Sequence, residues 1–225
     1  MRIIDISSPI SEDSVSWHDR FPTEVTWHSR TSAGERTTNS TWRLHVHTGT
    51  HVDAPVHHLA GGQTVDELEL TDFLGPCRVL DLRDARGQIG PTELATHGPR
   101  AGERLLLRTA NSERGLLAES RFTEDYIGIS AEGARYLAQA GVRLVGVDFL
   151  SVEAAGAPGA ETHHILLGGG IRVLEGLALS GAVGGEYELL FLPLPLVGAD
   201  AAPGRAVLLE PGCSPTPQTT ESTKP

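Results

Sequence analysis

Five histidines and one aspartate crowd into the twenty residues from Arg43 to Gly62, RLHVHTGTHVDAPVHHLAGG. His47, His51 and Asp53 stand in an H-x-x-x-H-x-D spacing. Residues four apart share a face of a helix, but Thr48, Gly49, Thr50, Val52 and Pro55 disfavour a helix here. A strand that turns at Gly49 instead folds His51 back toward His47, and the extended stretch that follows sets His51 and Asp53 on the same side. Two imidazoles and a carboxylate then converge on one point. Such a set suits zinc, manganese or ferrous iron and leaves coordination positions open for water and substrate. His45 is read as a partner of this cluster rather than a ligand. His18, His28 and His97 stand alone and are read as non-catalytic.

A second group lies in ETHHILLGGGIRVLEG. His163 or His164 supplies an imidazole and Glu175 an oxygen donor, on separate local elements joined by Gly168, Gly169 and Gly170. The triple glycine is not a phosphate loop, because it has neither the G-x-G-x-x-G spacing nor a Gly-Lys-Ser/Thr ending. Ser151, in DFLSVE, lacks a nucleophile-elbow sequence and is read as a structural hydrogen-bonding residue at a strand end. Trp17 and Phe21 are read as core or loop packing, ahead of the alternative that they wall a site for a substrate ring.

The elements that must position these residues follow from periodicity. RIIDIS, EVTWHSR, NSTWRLHVH, CRVLDLRD and ERLLLRT read as strands. In NSTWRLHVH, Trp42, Leu44 and Val46 point one way while Arg43, His45 and His47 point the other. Ser130 caps a helix over AEGARYLAQA with Gly141 as its stop, and the apolar VRLVGVDFL follows as a buried strand. Strand, helix and strand make a parallel unit, and Asp148 falls near the strand end where α/β proteins place their chemistry. YELLFLPLPL and RAVLLEP read as closing strands. The expected architecture is α/β with a substantial mixed sheet.

The chain has 225 residues, 39% of them hydrophobic, which suffices for one core and is short for two. Residues 1–210 are expected to form a single domain, with a disordered polar tail at 211–225. A net charge of -11 without a Lys or Arg cluster argues against nucleic-acid binding. Cys77 and Cys213 are far apart and in no metal-type spacing, so both are expected to be reduced bystanders. The start, MRIIDISSPI, lacks the charged and long apolar regions of a signal peptide. LLFLPLPLVGA, broken by Pro193 and Pro195, is too short to cross a membrane. The expectation is a soluble cytoplasmic protein acting on a small molecule, with no nucleic-acid or membrane partner.

HTGTHVDAPVHH resembles the H-x-G-T-H-x-D-x-P-x-H signature of the cyclase family, which includes bacterial-type kynurenine formamidase and isatin hydrolase. DISSPI, RTANS, LAQAGVRLVGVDFLSVE and HHILLGGGIRVLEGL extend the likeness in the expected order. The resemblance implies a swivelling β/β/α cyclase-like fold and a homodimer or higher assembly. It implies zinc or manganese, one or two ions per subunit: the first held by His47, His51 and Asp53, the second by Asp53, His163 and Glu175. His57 would be the acid/base residue. The implied reaction is hydrolysis of a non-peptide C–N bond, with an aryl formamide such as N-formylkynurenine as first substrate class. Opening of a cyclic amide and a biosynthetic cyclisation or dehydration are the alternatives within the family. His58 replaces a common aromatic residue, Gly176 a common Asn after the Glu, and Glu153 a common Asp. The first two of these departures bear on the substrate pocket.

Overall fold

The computed structural model describes residues 2–210. The expected tail at 211–225, Cys213 included, lies outside the described residues. Twelve strands run β1 Ile3–Asp5, β2 Glu24–Ser29, β3 Asn39–Arg43, β4 His51–Asp53, β5 Leu74–Asp81, β6 Gln88–Ile89, β7 Arg104–Arg108, β8 Gly128–Ile129, β9 Leu144–Val147, β10 Arg172–Glu175, β11 Gly185–Pro193 and β12 Ala201–Leu209. Among the described residues four α-helices join them: α1 Pro91–Ala95, α2 Ala110–Glu113, α3 Ala131–Ala140 and α4 Glu161–Gly168.

Eight strands form one mixed sheet in the order β1-β12-β11-β5-β7-β9-β10-β4. The run β5-β7-β9-β10 is parallel and the remaining pairings are antiparallel. β4 pairs not only with β10 but also with β12, so the sheet curls round and closes like a barrel. Period-two alternation then divides the side chains between two cores. Val52, Leu106, Leu174 and Leu208 belong to one core, together with Phe73 and Phe191. Leu105, Leu107, Val145 and Val173 face the other way and pack with Leu137 of α3 and Leu166 of α4. The expected helix is α3: Ser130 accepts a hydrogen bond from the Gly133 amide, and Gly141 stops it at φ 73°. The β7-α3-β9 stretch is the expected parallel unit.

Two expectations need correction. The strand read over NSTWRLHVH ends at Arg43, because β3 pairs only with β2 and that register ends at Glu24 opposite Arg43. With no partner beyond it, the chain turns, and the Thr48 amide donates to the His45 carbonyl at 3.0 Å. His45 and His47 therefore sit in a turn rather than on a strand face. Asp148 does follow β9, but its carboxylate is spent on structure: it accepts from the Thr109 and Ser112 amides and hydroxyls at 2.7–3.1 Å.

Candidate metal centre and active site

β4 is three residues long and wholly buried, and its alternation builds the site. Val52 points into the barrel core, so His51 and Asp53 point to the opposite face. The antiparallel register sets Glu175 of β10 opposite His51. His51 Nε2 lies 3.3 Å from Glu175 Oε2 and 3.5 Å from Asp53 Oδ1. Gly49, at φ 64°, makes the turn that brings His47 beside them, with Nδ1 at 2.9 Å from Asp53 Oδ1. α4 adds His163, whose Nε2 lies 3.3 Å from Glu175 Oε1 and 3.7 Å from Asp53 Oδ2. His163 is the member of the His-His pair turned inward; His164 is exposed. The structure places His47, His51, Asp53, His163 and Glu175 side by side, and His57 borders them with its ring 4.2 Å from that of His47.

The donor set of these residues has the character of metal ligands. His51 Nε2 and both oxygens of Asp53 are buried with no hydrogen-bond partner, although opposite charges surround them. Unpaired buried polar atoms are costly, and a divalent cation satisfies all three at once. The residues present therefore fit a metal. His51, Asp53 and Glu175 form one group with ligand atoms in mutual reach, and His47, Asp53 and His57 form another. Each histidine facing the centre is anchored through its other nitrogen. His51 Nδ1 donates to the Gly49 carbonyl at 2.9 Å, His163 Nδ1 to Glu153 Oε2 at 2.9 Å, and His47 Nε2 to Asp200 Oδ2 at 3.0 Å. That outer support is what a metal-binding imidazole requires.

Burial alone would lower the imidazoles, but the carboxylates beside them outweigh it and hold His51 and His163 at about 10. Burial would raise Asp53, yet the imidazoles next to it hold its carboxyl well below the usual range. His57 goes the other way: burial lowers it, His47 and His163 add to that, and the Asp53 and Glu175 carboxylates oppose it without reversing it. Burial likewise pushes His58 down to about 4.

The centre floors a cavity of about 610 Å³. Trp17, Phe21, Phe122 and Tyr126 line it, so Trp17 and Phe21 are wall residues rather than mere packing. His18, read as standing alone, is also on this wall, with its ring 4.6 Å from that of Phe122. Phe21 stacks on His45 at 4.1 Å, and His45 in turn on His47 at 5.2 Å, which makes His45 a spacer between wall and centre. His58 stacks on His163 at 4.3 Å, where an aromatic residue would serve the same purpose. Ser151 lines the cavity too, and its hydroxyl accepts from the Glu153 amide at 3.1 Å. Sequence reasoning missed Asp200 altogether and noted Glu153 only as a replacement for Asp.

Similarity to known proteins agrees with this geometry. Residues 4–154 match the Cyclase family model. The chain belongs to the Cyclase family. It is 39% identical to the kynurenine formamidase of Salinibacter ruber, over 92% of this chain and 97% of that one. A solved structure described as a predicted metal-dependent hydrolase from Bacillus stearothermophilus superposes with a TM-score of 0.80 at 33% identity, covering 92% and 97% of the two chains. Isatin hydrolase A from Ralstonia solanacearum shares the fold, with a TM-score of 0.80 at 24% identity over 93% and 92%. The clustered residues His47, His51 and Asp53, on β4 and the turn before it, fall within the matched stretch. No helix among the described residues is long and apolar enough to cross a membrane.

Proposed function

We propose that this chain is a metal-dependent amidohydrolase that cleaves aryl formamides, N-formylkynurenine being the first substrate to try. The observation that carries the reading is the set of unpartnered buried ligand atoms, His51 Nε2 and both Asp53 oxygens, next to His47, His163 and Glu175, which line an aromatic-walled cavity. His47, His51 and Asp53 would hold a first ion, zinc or manganese, and Asp53, His163 and Glu175 a second. When bound, such an ion polarises a carbonyl and lowers the pKa of water from about 15.7 to about 7.

The protein's own groups do the rest. The aromatic wall receives the aryl ring, burying apolar surface at roughly 25 cal/mol per Å². That orientation points the formamide toward the carboxylates and imidazoles of the floor. His57, whose charged form burial disfavours, accepts a proton from the attacking water and returns it to the departing nitrogen. A C–O bond forms, the C–N bond breaks, and an aryl amine and formic acid leave, the acid ionising to formate with release of one proton to solvent. The same reading carries a homodimer or higher assembly in the cytoplasm.

The test is hydrolysis of N-formylkynurenine by zinc- or manganese-loaded protein, followed by the appearance of kynurenine, with a chelated control. Efficient metal-dependent turnover is the expected result. A folded, fully metallated protein that leaves aryl formamides intact would overturn it.

A further inference from the structure

We propose that Asp200 is a positioning residue for His57, fixing which ring nitrogen faces the cavity while anchoring His47 with the same oxygen. The inference rests on the proton-carrying role of His57 in the formamidase reading. Of the three outer acceptors that hold the site histidines, only Asp200 reaches a second ring: its Oδ2 accepts from His47 Nε2 at 3.0 Å and lies 3.3 Å from His57 Nδ1. A carboxylate only accepts, so His47 Nε2 carries its proton, and the negative charge 3.3 Å from His57 Nδ1 favours the tautomer protonated at that nitrogen. His47 is thereby left with Nδ1 toward Asp53, and His57 with Nε2 as its basic atom.

The position of Asp200 is built in, although its side chain is half exposed. The residue sits immediately before β12, and its carbonyl accepts from the Ala54 amide at 2.9 Å. The next residue, Ala201, is registered opposite Asp53 itself. The strand pairing that closes the barrel therefore carries both the metal-facing carboxylate and the outer one.

What Asp200 decides is the part His57 plays. His57 lies within ligand reach of His47 and Asp53. With the Asp200 charge beside Nδ1, it stays a proton carrier; without that charge, it is free to turn that nitrogen toward the centre and become a ligand. In turnover the proton moves from water to His57 Nε2 and on to the leaving nitrogen, while Asp200 keeps its charge and transfers nothing.

The experiment uses zinc-loaded full chain. Asp200→Asn, which keeps an accepting oxygen for His47 but removes the charge beside His57, should lower kcat about 10–100-fold, the range for altering an outer partner, with KM unchanged and zinc retained at saturating metal. In a His57→Ala background the same substitution should have no further effect on kcat, as expected for residues acting through one another. Nitrogen-15 NMR of the imidazoles supplies a readout that needs no substrate. Native protein should show His57 protonated at Nδ1, and Asp200→Ala should lose that single tautomer. The proposal is overturned by multiplicative effects in the double variant, by zinc loss in Asp200→Asn, or by an unaltered His57 tautomer in Asp200→Ala. If native protein fails on aryl formamides while the tautomer still depends on Asp200, the formamidase reading falls and the positioning role stands.

Discussion

Asp53→Asn tests the centre most directly, because it keeps the shape of the side chain and removes the charge that both proposed ions share. In the native chain Asp53 has two unpaired buried oxygens within 3.7 Å of His47, His51 and His163. Zinc at about 100 times its Kd stabilises the folded state by about 2.7 kcal/mol. For a chain of this size each kcal/mol moves Tm by about 2–4 °C, so the native protein should gain about 5–11 °C over its chelated form. Loss of a shared charged ligand weakens binding at least as much as loss of an outer partner, about 100-fold at the upper end. The same zinc then contributes about 0.4 kcal/mol, or about 1–2 °C. Thermal unfolding with chelator and with zinc, on both proteins, reads the difference. An undiminished zinc shift in Asp53→Asn would refute the assignment of Asp53 as the shared ligand.

Three further outcomes are expected. His57→Ala should retain its metal and lose about 10²–10⁴-fold in turnover, the usual worth of a proton carrier; native-like rates would remove that role, and lost metal would make His57 a ligand. Glu153→Ala, which frees His163 Nδ1, should weaken the second ion about 10–100-fold while sparing the first; equilibrium dialysis showing equal loss of both would contradict the division of ligands. Metal binding should release protons at neutral pH, because His51 and His163, raised to about 10, carry them in the metal-free molecule. Apparent affinity should therefore climb as pH rises from 7 and level off near 10, while the metal-free fold keeps the benefit of these charged histidines below their ordinary pKa and loses it over the same rise. Calorimetry in buffers of different ionisation enthalpy counts the protons, and a release of none would overturn it.

The legible part of the site was local. The alternation of His51, Val52 and Asp53 and the glycine before them specify a turn and an extended segment whatever the partners, and β4 has that form. The break at Arg43 was not legible, because Trp42, Leu44 and Val46 alternate as well as any strand and only the lack of a neighbouring strand ends β3. Asp200 was invisible for a related reason. It is 153 residues from His47, in a stretch with no motif, and reaches it only through the β12–β4 register. Glu153 arrives at His163 through the placement of α4, again a tertiary matter. The cavity wall was ambiguous because Trp17 and Phe21 bury equally well in a core. Gly176 shows a departure that the fold explains: at φ 67°, a Cβ there would come within 2.1 Å of the Gly49 carbonyl oxygen, so the end of β10 lies directly against the turn that sets His47 and His51.

The double pairing of β4 also orders events during synthesis. The histidines of the β4 segment leave the ribosome early, but the strands that complete their surroundings, Arg172–Glu175 and Ala201–Leu209, come more than a hundred residues later. At about 5–20 residues per second, the wait between Asp53 and Pro203 is about 8–30 s. During that interval the nascent chain displays the histidines of β4 and its turn without the opposing carboxylate of Glu175, the imidazole of His163 or the anchor at Asp200. A chain cut short anywhere before β12 should therefore be a poor thief of cellular metal, and tight capture becomes a property of finished molecules.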